Sequence, residues 1–467
     1  MYNFFEGLKL FGPRVAFSYF RNERIVEVTY DEYLNDIYSC FYNLQDEKGQ
    51  IEGKHIGIIS ANSYEYLALL AAIILGNGVA VPLNIRDTNE GLLDTIKDAD
   101  IDLLVTDEEH LSVSSDIPTI LMETLFTGKN EKDQFTYEIS DPDRLIMLVY
   151  TSGTTGGSKG GEITYSNLFE RKKIALPREY ALDPDNEEPL KTYLTFPLYH
   201  MAGIWCWLSW AETGCTTFIN EDPGNILHEL SSIKVDFTLS SPTVLKLLAK
   251  RIKRGAIDKL GGLRAVGSSG APMDKETIEV FTGNGIDYCQ AYGMTEATGD
   301  ISYNCDLENH LTSVGIPSQG VEAAIIDGEI CLRGSCIISG YYKRPKETGE
   351  LIIDGYMHTG DIGFIDDEGY IYITGRKKNL IILSGGENVS PEELEKILYK
   401  NDFVKECKVV EKNDRIVAEV FADSMNHDNI REYVTEMNKT LPVYKRIYGV
   451  EFRDVEFEKT TIGKIRR

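Results

Sequence analysis

The sequence is short of positive charge and of long apolar runs. Its 467 residues contain 48 Lys and Arg against 74 Asp and Glu, which gives a formal net charge of -26 at pH 7. Nucleic acids and anionic membrane surfaces reward clustered basic side chains, so this balance argues against both as partners. The longest apolar run, residues 67–75, is far shorter than the roughly 20 residues that a membrane-spanning helix needs.

Paired cysteine motifs are missing as well. The eight cysteines are scattered and form no C-x-x-C pair, a pattern typical of buried thiols in a reducing compartment rather than of zinc sites or disulfides. The first residues contain no basic segment followed by an apolar run and a small-residue cleavage site, so no signal peptide is predicted. We therefore expect a cytoplasmic protein.

A glycine-rich stretch predicts a phosphate-binding loop. Residues 150–161 read YTSGTTGGSKGG and follow the apolar run 145–150, which is typical of a buried strand. The glycines leave backbone amides accessible, and the hydroxyl groups and the lysine suit a polyphosphate. The residues predicted to bind the nucleotide here are Thr151, Ser152, Gly153, Thr154, Thr155 and Lys159.

Two common nucleotide motifs are absent from this loop. Counted from Gly153, the P-loop pattern fails because Ser158 replaces its second glycine and Gly160 replaces its magnesium-binding hydroxyl residue. The dinucleotide pattern G-x-G-x-x-G is not present in the loop either. A flexible linker is the alternative interpretation, but the preceding strand and the internal lysine favour phosphate binding.

The rest of the chain predicts an α/β fold of more than one domain, since 467 residues exceed a single ordinary core. Apolar runs alternate with helical periods, a pattern that favours a mostly parallel sheet with ligands at the carboxyl ends of its strands. From residue 320 the pattern is β-rich, and after 376 it reads as a small α+β domain. Predicted strands are 56–60, 79–83, 101–106, 192–196, 216–219, 235–239, 263–266 and 286–290, and predicted helices are 65–75 and 92–96.

The glycine-rich loop resembles the signature of the AMP-forming adenylating superfamily, which includes acyl-CoA synthetases, adenylation domains of peptide synthetases and firefly luciferase. Ser158 stands where a proline is common, and Gly161 where an aliphatic residue is common, so this loop is more flexible than usual. The resemblance implies a large ATP- and acid-binding domain with a β-subdomain, residues 1–376, and a mobile C-terminal lid domain, residues 377–467.

Two further stretches resemble the adenine site of this superfamily: GSSGAP at 267–272 and YGMTE at 292–296. The resemblance implies that an aromatic ring stacks on the base, that the glycine-containing backbone covers its other face, and that a hydroxyl reaches the α-phosphate. A carboxylate suits Mg²⁺, and an aromatic face suits a base. In the alternative interpretation the tyrosine is core and the glutamate a solvated turn residue. The predicted residues are Gly270, Ala271, Pro272, Tyr292, Thr295 and Glu296, with Glu296 as the metal ligand.

The stretch FPLYHMAG at 196–203 resembles the acyl-pocket segment of acyl-CoA synthetases. A lone histidine is more often structural, but the resemblance implies that His200 gates the pocket. Met201 stands about where amino-acid-activating relatives carry an Asp, and an apolar side chain cannot pair with an ammonium ion. We therefore expect a fatty or aryl acid. The predicted pocket residues are His200, Met201, Gly203, Ile204 and Ala291.

The C-terminal third resembles the remaining parts of the active site. In HTGD at 358–361, Asp361 is expected to bind both ribose hydroxyls, a strong bidentate contact. By resemblance Arg376 contacts the ribose and Lys378 is the hinge of the lid domain.

The loop SGGENVS at 384–390 resembles the version typical of CoA ligases, in which Gly385 and Gly386 let the thiol arm pass. The terminal KTTIGKIRR resembles the motif whose lysine, here Lys464, reaches the adenylation site, although its usual proline is absent.

These resemblances predict an AMP-forming carboxylic acid–CoA ligase that uses ATP, Mg²⁺ and coenzyme A. Its length and the 290–296 context resemble compact 2-succinylbenzoate ligases and also small fatty- and aryl-acid ligases. Two alternatives remain at this point: an adenylating enzyme that loads a carrier protein, and a nucleotide-binding protein without catalysis. The predicted catalytic residues are Lys464, Thr295, Glu296 and His200.

Overall fold

The structure, a computed structural model, describes residues 3–111, 113, 116–127, 139, 141–151, 158–170, 188–383, 387–413, 415–458 and 465. The chain forms two compact units. The first consists of Met1–Glu322 and Arg333–Gly355, and the second of Ala323–Leu332 and Tyr356–Arg467. The predicted division after residue 376 concerns a lid that moves, and it stays a prediction.

The strands and helices are given in chain order. The strands are β1 Val15–Arg21, β2 Arg24–Thr29, β3 His55–Ile59, β4 Val79–Pro82, β5 Leu103–Thr106, β6 Thr119–Leu121, β7 Leu145–Thr151, β8 Lys159–Thr164, β9 Lys191–Leu194, β10 Thr216–Ile219, β11 Phe237–Ser240, β12 Ala265–Ser268, β13 Asp287–Met294, β14 Gly299–Asn304, β15 Ile316–Pro317, β16 Val321–Ile326, β17 Glu329–Gly334, β18 Ile352–Ile353, β19 Tyr356–Ile365, β20 Ile371–Arg376, β21 Ile381–Ile382, β22 Asn388–Val389, β23 Glu406–Glu411, β24 Ile416–Phe421 and β25 Ile447–Arg453. The helices are α1 Phe4–Leu8, α2 Tyr30–Lys48, α3 Tyr64–Leu75, α4 Asn89–Asp98, α5 Tyr165–Phe169, α6 Met201–Glu212, α7 Ile226–Leu230, α8 Pro242–Lys253, α9 Lys275–Thr282, α10 Leu307–His310, α11 Pro345–Leu351, α12 Pro391–Leu398 and α13 His427–Thr440.

A six-stranded sheet of the first unit has the order β6-β5-β3-β4-β7-β8. The strands from β6 to β7 in this order run parallel, and β8 pairs with β7 in antiparallel fashion. Helix α3 begins after the N-cap Ser63 and is buried along almost its whole length. The apolar run 67–75 is therefore a core helix.

A nine-stranded sheet of the first unit has the order β15-β14-β13-β12-β11-β9-β10-β1-β2. Its central strands, from β13 to β1, run parallel, and the outer pairs are antiparallel. Helices α8 and α9 add Leu245 and Phe281 to a core that includes Val266 of β12. Parallel strands covered by helices are what the alternating sequence pattern predicts.

In the second unit, β17, β19 and β20 pair in antiparallel fashion. Beyond residue 376, the hairpin β21–β22 is followed by α12, β23, β24, α13 and β25, close to the predicted α+β outline. Side chains from Ile381 to Ile447 pack into one hydrophobic core. The residues from 381 onward thus share a core of their own.

Three strand ends differ from the prediction by two residues or more: β9 ends at Leu194 and not at 196, whereas β12 and β13 continue further than predicted. Strand β13 continues past Gln290 to Met294, so Tyr292 lies within the strand and not after it. The cause is antiparallel pairing with β14, in which Tyr292 lies opposite Ser302 and Met294 opposite Gly299. Strand β12 likewise continues to Ser268 because Ser268 pairs with Gln290.

Candidate active site

The predicted phosphate loop connects two antiparallel strands. Strand β7 ends at Thr151 and β8 begins at Lys159, and these two residues pair across the ladder. The Ser158 hydroxyl donates a hydrogen bond to the carbonyl of Thr151. The structure thus places both ends of the loop, while Ser152, Gly153, Thr154 and Thr155 lie outside the described residues.

Residues 340–342 pair with the start of β8. The amide of Tyr342 donates to the carbonyl of Gly160 at 2.8 Å, and the amide of Glu162 donates to the carbonyl of Gly340 at 2.9 Å. A side chain at Gly161 would begin 3.2 Å from the Cδ1 atom of Ile338. Ile338 therefore fills the space next to Gly161, so a larger side chain at position 161 would require Ile338 to move.

Tyr341 lies between two predicted nucleotide-site residues. Its hydroxyl donates a 2.6 Å hydrogen bond to Oε1 of Glu296, and Nζ of Lys159 lies 5.2 Å from the centroid of its ring. Burial, together with the charge and hydrogen bond of Glu296, raises the pKa of Tyr341. Sequence reasoning missed this residue, because GYY at 340–342 is locally only a β-rich pattern.

A short 3-10 turn, Thr295–Ala297, positions the predicted metal ligand. The turn ends at Thr298, whose φ of 50° is left-handed and whose hydroxyl donates to the carbonyl of Cys336 at 2.9 Å. The amide of Ile338 donates to the carbonyl of Glu296 at 3.0 Å. The hydroxyl of Thr295 and the carboxylate of Glu296 are hard oxygen ligands, so this turn fits Mg²⁺.

The predicted adenine site lies where β12 and β13 end. The side-chain amide of Gln290 donates to the carbonyl of Ser268 at 3.1 Å and reaches that of Ala271 at 3.5 Å. Gly270 has a φ of 86°, which a glycine adopts without strain. Tyr292 lies on β13 and is 8% exposed. Gln290 therefore holds the loop of Gly270, Ala271 and Pro272 beside the strand that carries Tyr292.

The predicted acyl-pocket residues lie on α6 and on β13. Met201 and Ile204 are buried on α6, which packs against β14. A Cβ atom at Gly203 would lie 2.3 Å from the carbonyl oxygen of Pro197, so only glycine allows this close approach. Ala291 on β13 pairs with Tyr303 of β14, whose hydroxyl accepts a hydrogen bond from the indole of Trp205 at 3.0 Å.

His200 is the residue before the first turn of α6. Burial, with a smaller contribution from the charge of Arg86, lowers its pKa to about 4. The imidazole is thus neutral at physiological pH. A neutral, largely desolvated ring is better suited to act as a gate that contacts an apolar substrate than to act as a general acid.

A buried carboxylate near α6 was not predicted. Asp300 lies on β14, accepts a 2.6 Å hydrogen bond from the hydroxyl of Ser269, and lies 3.4 Å from the hydroxyl of Tyr303. The local sequence gave no sign of it, since GDISYN at 299–304 reads as an ordinary strand.

The two predicted ribose residues of the second unit pair directly. Asp361 on β19 lies opposite Arg376 on β20, and Nε of Arg376 is 2.7 Å from Oδ1 of Asp361. The guanidinium also donates to the carbonyl of Thr359 at 3.2 Å. This charge-assisted contact fixes the orientation of a carboxylate that is almost fully buried.

Glu329 anchors the segment before Asp361 and the residue before the predicted hinge. Its carboxylate accepts hydrogen bonds from Nζ of Lys377 at 2.8 Å, Nδ1 of His358 at 2.9 Å and the amide of Gly360 at 2.8 Å. Burial alone would raise the pKa of Glu329, but these hydrogen bonds outweigh it and lower the pKa. The Sγ atom of Cys331 lies 3.5 Å from Nδ1 of His358, which raises the question of a metal site. The Lys377 ammonium is hydrogen-bonded to the Glu329 carboxylate, and this favours a hydrogen-bonded anchor over a metal site.

The predicted hinge residue Lys378 lies in a single 3-10 turn, Lys377–Asn379. The side-chain amide of Asn379 donates to Glu392 at the start of α12. Strands β21 and β22 flank the predicted thiol-arm loop, and the amide of Leu383 donates to the carbonyl of Glu387 at 3.0 Å. Gly385, Gly386 and Lys464 lie outside the described residues.

Comparisons with known proteins decide the family. The protein family described as "AMP-binding enzyme" matches residues 4–342 of this chain. The chain belongs to the AMP-binding enzyme family. It is 30% identical over 401 residues to a 2-succinylbenzoate–CoA ligase of Bacillus cytotoxicus, covering 81% of this chain and 78% of the relative. A feruloyl-CoA synthase of an Amycolatopsis species is 29% identical over 441 residues, covering 88% and 87%.

A solved structure shares the fold of this AMP-binding enzyme. The o-succinylbenzoate coenzyme A synthetase from Bacillus subtilis, in complex with ATP and magnesium ion, superposes with a TM-score of 0.83 at 23% identity, covering 100% of this chain and 98% of that chain. The predicted superfamily, its acyl-CoA ligase branch and the α/β fold class are confirmed. No helix among the described residues of this AMP-binding enzyme is long and apolar enough to cross a membrane. The roles of the individual site residues stay predictions.

Proposed function

We propose that this chain is an AMP-forming carboxylic acid–CoA ligase. It converts a carboxylic acid, ATP and coenzyme A to an acyl-CoA, AMP and pyrophosphate, with magnesium as the metal. The observation that carries this conclusion is the likeness over 81% of the chain to a 2-succinylbenzoate–CoA ligase. The turn that holds Glu296 next to Tyr341 and Lys159 supports it.

In the first half-reaction, an oxygen of the substrate carboxylate attacks the α-phosphorus of ATP. The bond to the β-phosphate breaks, and pyrophosphate leaves with the electron pair. Magnesium, when bound, neutralises phosphate charge. Lys159 is positioned to stabilise the departing phosphates, and Lys464 is the proposed second cation at the reacting centre. Thr295 and Glu296 would hold the metal and the α-phosphate in one orientation.

Each proposed nucleoside-binding residue offers a group that suits one part of the nucleoside. Tyr292 offers its ring to the adenine, and the loop at Gly270 and Ala271 offers a backbone surface. Asp361 is the proposed ligand of the ribose hydroxyls, and Arg376 keeps its carboxylate oriented through the 2.7 Å contact. A carboxylate whose orientation is fixed before binding loses little conformational entropy when it accepts hydrogen bonds from the two ribose hydroxyl groups.

In the second half-reaction, the thiol of coenzyme A loses its proton and attacks the acyl carbon, and AMP leaves. We propose that residues 377–467 act as a lid that rotates about Lys378 between the two steps. This rotation withdraws Lys464 and brings Gly385 and Gly386 to the thiol path. The single 3-10 turn at Lys377–Asn379 supports a short hinge.

The substrate is an acid with an aryl or other apolar body. Met201, Ile204 and Ala291 are buried and apolar, and desolvating an ammonium ion against them without a partner would cost on the order of several kcal/mol. The curated relatives are named for 2-succinylbenzoate and feruloyl substrates, both aryl acids. We propose a cytoplasmic location, which the eight scattered cysteines without a C-x-x-C pair support.

The test is ATP–pyrophosphate exchange over aryl acids, fatty acids and the proteinogenic amino acids, followed by thioester formation with coenzyme A. We expect exchange with an apolar or aryl acid and thioester release when coenzyme A is added. Exchange with amino acids alone, or transfer only to a phosphopantetheinylated carrier protein, would contradict the proposal.

A further inference from the structure

Tyr341 contacts two charged groups of the proposed nucleotide site, Glu296 and Lys159. Its hydroxyl is 2.6 Å from Oε1 of Glu296 and its ring lies under Nζ of Lys159 at 5.2 Å. Among the described residues, no other hydrogen-bond donor to the Glu296 carboxylate is found. The side chain of Tyr341 is thus the contact that sets where this carboxylate points.

The backbone of Tyr341 is held firmly in turn. It forms a β-bridge with Gly161 of β8, and its amide donates to the hydroxyl of Thr348 on α11 at 2.9 Å. A Cβ atom at the preceding Gly340 would lie 2.5 Å from the Thr348 side chain. The tyrosine is therefore fixed relative to the strand that begins with Lys159.

We propose that Tyr341 is a positioning residue for the adenylation step, which holds Glu296 in the orientation that binds the divalent metal and keeps the Lys159 ammonium above its ring. This inference rests on the proposed function. A carboxylate on a flexible side chain otherwise samples several orientations, so one strong hydrogen bond selects the orientation that binds metal. A cation above an aromatic face is attracted to it, which limits where the Lys159 ammonium lies.

The test compares Tyr341→Phe with Tyr342→Phe. The second is a matched control, because the Tyr342 hydroxyl also donates to a carboxylate, Asp100, at 2.8 Å, but at an exposed place. Binding of Mn²⁺ to each full-length variant is measured by electron paramagnetic resonance with α,β-methylene-ATP present. Loss of a hydrogen bond to a charged group changes an equilibrium constant by roughly tenfold to a hundredfold. Tyr341→Phe should therefore weaken Mn²⁺ binding by about tenfold or more.

Pyrophosphate exchange gives the second measurement. Tyr341→Phe should need about tenfold more Mg²⁺ for half-maximal exchange and recover to within about threefold of the wild-type rate at saturation. Tyr342→Phe should match the wild type in both measurements. Mn²⁺ affinity equal to that of Tyr342→Phe, or a rate loss that Mg²⁺ does not restore, would overturn the inference.

Two further variants separate the possible failures. Glu296→Gln should abolish Mn²⁺ binding; if it does not, the metal assignment of the proposed function is wrong, and Tyr341 loses the role inferred for it. If Tyr341→Phe does not fold, Glu296→Asp tests the same bond from its other end, because the shorter side chain withdraws the carboxylate from the phenol. Unchanged Mn²⁺ affinity in Glu296→Asp would overturn the inference.

Discussion

Replacing Glu329 by Gln should destabilise the second unit locally. The side chain of Glu329 is 3% exposed and accepts from Lys377, His358 and the amide of Gly360. Glutamine keeps the shape but exchanges one acceptor oxygen for an NH₂ group, and it removes the charge. An NH₂ group facing the Lys377 ammonium leaves donors opposite one another.

The magnitude follows from how exposed each partner is. The Lys377 side chain is 58% exposed, so its ion pair contributes roughly 0–1 kcal/mol, because water replaces the lost partner. A hydrogen bond to a charged acceptor contributes roughly 1.5–3 kcal/mol in a buried setting. The inward bonds of His358 and Gly360 are of this kind. Glutamine keeps one acceptor oxygen and therefore loses one of these two bonds, so we expect a loss of about 2–3 kcal/mol, which is large beside a typical total stability of roughly 5–15 kcal/mol.

Hydrogen exchange measured by mass spectrometry resolves this loss. Amides of β19, Tyr356–Ile365, should exchange about 30-fold to 150-fold faster in Glu329→Gln, since each 1.36 kcal/mol is about tenfold. The matched control is Glu322→Gln, whose carboxylate is 49% exposed and pairs with Arg333 at the surface. The control should change β19 by less than about threefold. Equal protection in the two variants would refute the reasoning.

The same variant has a pH signature. In the folded protein the hydrogen bonds to Glu329 lower its pKa below the usual value of 4.5. Its stabilisation is therefore fully present above pH 4.5 and is lost as pH falls through the folded-state pKa. The free energy of urea unfolding should differ between wild type and Glu329→Gln at pH 7.5, and the difference should shrink below pH 4.5. A difference that stays constant over this range would contradict the charge argument.

Two further predictions concern the proposed cycle, and a third concerns the pH dependence of stability. Lys464→Ala should slow adenylate formation by roughly a hundredfold to a thousandfold and spare thioester formation from supplied acyl adenylate; equal losses in separately assayed half-reactions would contradict its role. Lys378→Pro should slow thioester formation more than adenylation, because proline fixes φ at the hinge, and an unchanged thioester rate would remove Lys378 as pivot. Burial lowers the pKa of His200 to about 4. The free energy of unfolding of the wild type should therefore fall as the pH drops below about 6.5, and urea titrations of His200→Gln should lack the part of this fall that His200 causes.

The fold was predictable because its strands and helices carry strong local patterns. Helix α3 and strand β10 lie at or within one residue of the predicted bounds. The end of β13 was not predictable from its own residues, because pairing with β14 extends it to Met294. The end of such a strand depends on its pairing partner, which lies outside the short stretch of sequence that forms the strand.

The candidate site was predictable where one short motif contains the functional groups, as at 292–296 and 358–361. Tyr341 and Glu329 were missed because each acts on residues far along the chain. Tyr341 bonds to Glu296, 45 positions away, and Glu329 to Lys377, 48 positions away. No spacing rule connects such residues, and only the folded backbone brings them together.

The pairing of residues 340–342 with β8 has a consequence for synthesis. Strand β8 is the edge of its six-stranded sheet, and Gly340 and Tyr342 hydrogen-bond to its outer side. A growing chain therefore carries this edge without its partner until residues 340–342 have been made, long after β8 ends at Thr164. Open strand edges recruit other chains. Shortened forms that stop before Gly340 leave the strand of the phosphate loop exposed to association, so aggregation and loss of nucleotide binding arise there from the same missing segment.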